Sequence, residues 1–347
     1  MIKGTVKTEA QYRAVIMDSS SSLKEFSTNR KKYYSKYILN EKVEDDDSKA
    51  SVMGRLVETL LMEDHLFDVK FHMSVITSAP TGLMLEFVEA LYKHTSAATN
   101  EDGILTRSFE DLCKDAYVDS GFKIKIDAVL GKFIGSDAEI YYKEIREVRS
   151  KGLTVVTTQD VDNANKIVNE LKTNDFTASI VNLVNSARYS VYNQLQVEGY
   201  DVFDHKFKSM MDKMIVDHEA KTVQVYDLKC TWSVENFYDE YYLYRRAYIQ
   251  GFLYRNAASF WASEMGYGDY NILYPKFIVC DSTNYSSPLI YAMSDENMHD
   301  AMNGFTYKGR EYPGVRSLIA DLKWAIENDK WNISRENHIN NGVVKLG

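Results

Sequence analysis

Asp227, Leu228 and Lys229, together with Asp212, are the residues of this 347-residue chain whose types and spacing most suggest chemistry. They lie in FKSMMDKMIVDHEAKTVQVYDLKCTW, where VDHEAKT separates two extended segments and has the polar, turn-forming character of a hairpin loop. Strand side chains alternate faces, so Val223, Val225, Asp227 and Lys229 share one face, and Tyr226, Leu228 and Cys230 the other. A hairpin partner then brings Asp212 beside Asp227. Two carboxylates and an ammonium gathered at one point are costly in a core. The same gathering is sensible around a divalent cation. Mg²⁺ prefers hard oxygen ligands and keeps several waters, so one to three carboxylates suffice. The ion lowers the pKa of a water and offsets charge on a phosphate under attack, while a neighbouring lysine orients that water or stabilises the developing charge. Taken alone, D…D-x-K also describes an ordinary solvated hairpin with a salt bridge, so the rest of the chain has to decide.

The elements that must position these residues read as follows. Ser19 to Ser22 supply hydroxyl caps for a helix opening Leu23-Lys24-Glu25-Phe26. The basic, tyrosine-rich stretch Arg30 to Tyr34 follows, and Val43 to Lys49 is acidic and loop-like. In SVMGRLVETLLMEDHLFDVKF, Val52, Leu56, Leu60 and Leu61 mark an amphipathic helix. Gly54 and Glu58 share one of its faces, where a glycine permits close backbone approach and a glutamate reaches outward. Residues 74–188 read mostly helical, interrupted by the strand-like LTVVTT and a helix from Gln159 to Lys172; Lys132, Lys143 and Arg146 supply cations there without a chemical motif. After Arg188 come three strands, then a long helix from Val234 to Glu264 on which Arg246, Gln250 and Tyr254 recur at i,i+4 spacing. PKFIVCD and PLIYAMS read as two more strands, Asp295 to Asn303 and Val315 to Lys330 as helices, and a polar tail closes the chain. The expected fold class is α/β, a central mixed sheet flanked by helices. Its parts are an N-terminal helical preface at 1–50, a main domain at 51–335 with a helical insertion at about 74–185, and the tail at 336–347.

Composition narrows the function. A net charge of −9 is unlike a basic, nonspecific nucleic-acid coat, yet compatible with a metal and a local basic lining inside an acidic protein. No run of about 18 apolar residues and no signal-peptide pattern is present, so no membrane partner is expected. Cys113, Cys230 and Cys280 are scattered, which fits a reducing cytoplasm and gives neither a disulfide framework nor a zinc or iron–sulfur spacing.

The order Gly54…Glu58, Asp212, Asp227-Leu228-Lys229, Gln250…Tyr254 resembles the PD-(D/E)XK nuclease superfamily, and more narrowly the phage and prophage exonucleases of the exodeoxyribonuclease VIII (RecE-type) and RecB-like group. There a helix carries G-x-x-x-H or E, two strands carry D and D/E-x-K, and the next helix carries Q-x-x-x-Y. SSSSLKEF resembles that group's opening helix, GLTVVTTQDVDNANKIVNEL its middle strand and helix, and FIVCDSTNYSSPLIYAMSDENM its closing strand pair. Roughly residues 15–335 are covered, most loosely at 85–150. The resemblance implies a restriction-endonuclease-like core and a Mg²⁺-dependent deoxyribonuclease, with Mn²⁺ an adequate substitute. It implies Glu58, Asp212, Asp227 and the Leu228 carbonyl as metal ligands, with Asp212, Asp227 and Lys229 catalytic. Gln250, Tyr254, Arg246 and Lys208 would bind substrate. Two departures stand out: Glu58 where histidine is common, and Met210 where many relatives have arginine. The four-cysteine motif of some relatives is absent, so no iron–sulfur cluster is expected. The implied function is exonucleolytic hydrolysis of linear duplex DNA in recombination or repair, in the cytoplasm of a bacterium or phage-infected host. A homo-oligomeric ring and a single-strand annealing protein are the implied partners. The alternatives are an endonuclease of the same superfamily and a non-catalytic protein that binds DNA or a partner.

Overall fold

A computed structural model describes residues 7–41 and 48–344, so most of the acidic stretch expected at 43–49 lies outside the described residues. The chain forms two compact units, Arg55–Val168 and Met1–Gly54 with Asn169–Gly347. Among the described residues no helix is long and apolar enough to cross a membrane.

The unit Arg55–Val168 is mainly helical. Helices Leu83–Ala97, Phe109–Ser120, Ile126–Phe133 and Asp137–Arg149 enclose a core of Phe87, Leu91, Leu112, Phe133 and Ile145. The Phe87 and Phe133 rings meet edge to face at 5.3 Å, a favoured aromatic geometry. Ser108 caps the second of these helices through the Asp111 N–H, and left-handed Gly121 ends it. Helix Ile126–Phe133 lies within the stretch read as mostly helical, though its eight residues, Gly131 among them, carry too little periodic signal to mark it individually. Two short strands, β1 (Phe71–Met73) and β2 (Thr154–Val156), pair in parallel, so the strand-like LTVVTT finds a partner.

The larger unit is built on a mixed sheet. Its strands are β3 (Tyr189–Asp201), β4 (Lys206–Asp217), β5 (Thr222–Thr231), β6 (Asn271–Ile272), β7 (Lys276–Asp281) and β8 (Leu289–Ala292). They run in the order β3-β4-β5-β7-β8, with β6 also on β5. The β3/β4, β4/β5 and β7/β8 pairs are antiparallel and β5/β7 is parallel. β4 and β5 are buried on both faces for most of their length, although about half of their residues are polar. Helices flank this sheet, which makes the unit the α/β fold expected. The connection from β5 to β7 carries helix Ala247–Glu264, buried nearly all round. Its Gly251 packs against Met293, whose Sδ would stand 2.2 Å from a Cβ there, so a larger residue would force that side chain to shift.

Two differences from the sequence reading matter. The long helix from Val234 is instead a π-helical stretch, Tyr238–Tyr244, a break, and then Ala247–Glu264. At the break Arg246 takes a left-handed φ of 56° while its guanidinium donates to the Ser27 carbonyl at 2.9 Å. That tertiary bond holds an L-residue in a conformation it rarely adopts. The second difference is a short antiparallel pair, β9 (Gly304–Tyr307) and β10 (Arg310–Pro313), too brief to show an alternation in sequence.

Candidate active site

The β4/β5 ladder runs from Asp217↔Thr222 to Lys213↔Tyr226 and stops there. The next residues along, Asp212 and Asp227, are the two acids of the motif. Where the ladder stops, side chains take over the backbone's hydrogen bonds: the Asp212 carboxylate accepts from the Leu228 N–H at 2.7 Å, and the Met210 carbonyl accepts from the Tyr254 hydroxyl at 2.7 Å. A buried backbone group without a partner is costly, so both bonds satisfy backbone groups that the β4/β5 ladder leaves unpaired. Asp212 and Asp227 are 8% and 1% exposed, which makes their charges dependent on these neighbours.

Asp227 is held from two sides. Its Oδ1 accepts from Gln250 Nε2 at 2.8 Å, and its Oδ2 forms an ion pair with Lys229 Nζ. That ion pair lacks hydrogen-bond geometry, leaving Oδ2 a buried oxygen that accepts no hydrogen bond. Lys229 Nζ also lies 3.5 Å from the Leu228 carbonyl, at the limit of a hydrogen bond. One ammonium therefore faces two hard oxygens, Asp227 Oδ2 and Leu228 O. These are two of the oxygens that the resemblance implies as ligands of a divalent cation, and the chemistry of the pair fits one.

Gln250 is the connecting residue. Its Nε2 donates to both Asp227 Oδ1 and the Tyr254 hydroxyl, the latter at 2.9 Å, and its Oε1 accepts from Lys24 Nζ at 3.3 Å. The amide can be turned only this way, since an ionised carboxylate accepts and an ammonium donates. Burial above all, and then the charges of Asp212 and Asp227, push the Tyr254 phenol well above its ordinary range. It stays protonated and serves as a donor. Gln250 thus orients Asp227, and Tyr254 holds β4 at Met210, two residues before Asp212.

The other two residues expected at the substrate are committed to the chain. Lys208 Nζ donates to the carbonyls of Tyr12, Arg13 and Val15 at 2.9, 3.0 and 2.7 Å. All three of its protons are used at the end of helix Glu9–Arg13. Arg246 lies outside the helix that carries Gln250 and Tyr254, so it leaves their stripe and ties Ser27 instead. Glu58, half-buried, is on helix Lys49–Met62 and belongs to the unit Arg55–Val168. A Cβ on Gly54 would meet Cys230 Cβ at 3.9 Å, an ordinary contact, so no close backbone approach demands this glycine. Among the described residues no three His, Cys, Asp or Glu side chains are grouped to hold a metal ion.

Lys24 is the neighbour that sequence reasoning passed over. Burial first, then the positive charge of Lys229, lowers its amine to about 8, against the opposing pull of Asp227 and with a further push from Arg245. SSSSLKEF marks it as part of a capped helix, and Ser19 does cap helix Ser20–Thr28 with a reciprocal bond from Ser22. No spacing rule connects residue 24 to residue 250.

No protein-family model matches this chain, and no curated protein does. Among solved structures the chain is similar to a “putative exonuclease” from Eubacterium rectale, at 14% identity and a TM-score of 0.47, covering 99% of this chain and 96% of that one.

Proposed function

We propose that this protein is a metal-dependent deoxyribonuclease that hydrolyses phosphodiester bonds, working as an exonuclease on linear duplex DNA. The observation that carries the reading is the pair of hard oxygens, Asp227 Oδ2 and Leu228 O, both turned toward Lys229 Nζ beside the Asp212 carboxylate. A core has no use for two buried acids and an ammonium where a ladder stops, whereas phosphoryl chemistry needs such a set. Asp212, Asp227 and the Leu228 carbonyl would hold Mg²⁺, for which one or two carboxylates suffice. Bound there, the ion would acidify a water and offset charge on the phosphate under attack.

The chain's own residues supply the rest. Gln250 fixes the plane of the Asp227 carboxylate, and the Tyr254 hydroxyl holds β4 at Met210, two residues before Asp212. With a dication on Asp227 Oδ2 and the Leu228 carbonyl, the Lys229 ammonium would turn toward the water or the substrate, where its charge would stabilise the developing oxyanion.

The test is end-labelled linear duplex beside covalently closed circle, with Mg²⁺ or EDTA, and with the Lys229→Ala protein in parallel. Loss of the linear DNA alone, stopped by both EDTA and the substitution, is the expected result. Cutting of the circle would replace the exonuclease with an endonuclease. DNA binding without hydrolysis under any of these conditions would remove the catalytic roles of Asp212, Asp227 and Lys229.

A further inference from the structure

We propose that Lys24 is a phosphate-binding residue of this site, its ammonium taking a non-bridging oxygen of the DNA backbone beside Asp227 and Lys229. The inference rests on the nuclease reading and adds to it a residue from outside the D…D-x-K and Q-x-x-x-Y pattern. Lys24 has three N–H donors, and its single hydrogen bond among the described residues is the long one to Gln250 Oε1, at 3.3 Å. Gln250 spends its other end on Asp227 and Tyr254, so the amide ties Lys24 to the carboxylate that faces Lys229.

Charge balance points the same way. The groups that act on Lys24 are Lys229, Asp227 and Arg245, two cations against one carboxylate. With Lys24 itself, three positive charges stand near the two carboxylates Asp227 and Asp212, and a bound dication would move the balance further positive. Gathering like charges in a half-buried place is unfavourable unless an anion completes it. A phosphodiester has that charge and offers acceptor oxygens to an ammonium with donors to spare. Incomplete bonding alone would be a weak argument, since Lys213 is also buried with two long bonds, 3.3 Å to Asn193 and 3.5 Å to the Val181 carbonyl. Desolvation alone acts on Lys213, however, whereas Lys24 stands among site charges and is partly open to solvent.

Binding of a short linear duplex, measured in EDTA over a range of NaCl concentrations, tests the proposal without turnover. Loss of one phosphate contact lowers the slope of log affinity against log salt by about 0.9. Lys24→Gln should show that decrease and weaker binding to every sequence alike, and Lys24→Arg should restore both. Should Lys24→Gln fail to fold, the unaltered protein gives a second readout. Acylation of surface amines followed by mass spectrometry should show Lys24 protected when duplex is added. An unchanged salt slope in a folded Lys24→Gln protein, or equal labelling of Lys24 with and without DNA, would overturn the proposal and leave Lys24 as a prop for Gln250. If the unaltered protein neither binds nor cuts duplex, the nuclease reading itself falls, an outcome distinct from a defect confined to Lys24.

Discussion

Lys208 on β4 and Lys229 on β5 are both lysines of one sheet, and their surroundings differ in kind. Three backbone carbonyls surround the Lys208 ammonium and use each of its protons. At Lys229 the ammonium meets a carboxylate oxygen that accepts no hydrogen bond, a carbonyl at the limit of hydrogen-bonding distance and, close by, the positive charge of Lys24. A buried charge whose bonds are complete secures a fold and has nothing left to offer a ligand. One held among strained charges can be released to do chemistry. Side-chain type does not separate these cases, but the groups each ammonium faces do: neutral backbone carbonyls at Lys208, a carboxylate at Lys229.

Four variants would sharpen or break this distinction. Lys229→Ala should have the largest effect, lowering turnover of linear duplex by about 10²–10³-fold, the usual cost of a group that stabilises charge in a transition state. A nuclease assay at saturating Mg²⁺ would read it, with circular dichroism to show that the fold survives. Lys208→Met should do the reverse, costing about 3 kcal/mol in urea unfolding because buried carbonyls lose their donor. Turnover per folded molecule should not change. Weaker DNA binding by Lys208→Met at unaltered stability would erase the contrast and restore the substrate role implied by the sequence.

Lys213→Met should raise stability at pH 7 by about 2 kcal/mol. Burial lowers the Lys213 amine from an ordinary 10.5 to about 8. The folded state therefore binds the proton less tightly than the unfolded one, and the charged lysine costs stability in full below about pH 8. That cost fades as pH rises from about 8 to 10.5, so the unaltered protein should gain stability over this window from Lys213 and the variant should not. Urea midpoints at pH 7, 8 and 9 would decide it. The smallest effect should come from Tyr254→Phe, which removes one hydroxyl from the Met210 carbonyl and should cost about 1 kcal/mol by the same measurement.

The parts of the site that are local in sequence were legible from it. A polar turn between two alternating segments is enough to predict that Asp212 and Asp227 lie across a hairpin, and the paired register ends at Lys213↔Tyr226, one step short of them. The flanking elements followed from caps and periodicity, as at Ser19 and Ser294. Roles that depend on distant partners were not legible. Lys208 reads as a basic residue near a motif because nothing in the sequence reveals three carbonyls at the end of a five-residue helix nearly two hundred positions away. Arg246 fits an i,i+4 stripe until a bond to Ser27 turns its backbone left-handed. Lys24 was invisible for the same reason, its partner lying 226 residues along the chain.

Those separations also bear on the order in which the site assembles. Asp212 bonds Leu228 across 16 residues, Gln250 reaches Asp227 across 23, and Lys24 reaches Gln250 across 226. Closing the longest of these loops costs about 2 kcal/mol more entropy than closing the shortest, and hairpins form within microseconds. The two acids should thus meet early in folding, before the amide and Lys24 arrive. Lys229, two residues from Asp227, travels with them and gives the nascent hairpin its own counter-charge. In pulsed hydrogen exchange during refolding, the Leu228 amide should be protected ahead of the amides of helix Ala247–Glu264, and Lys229→Ala should delay it.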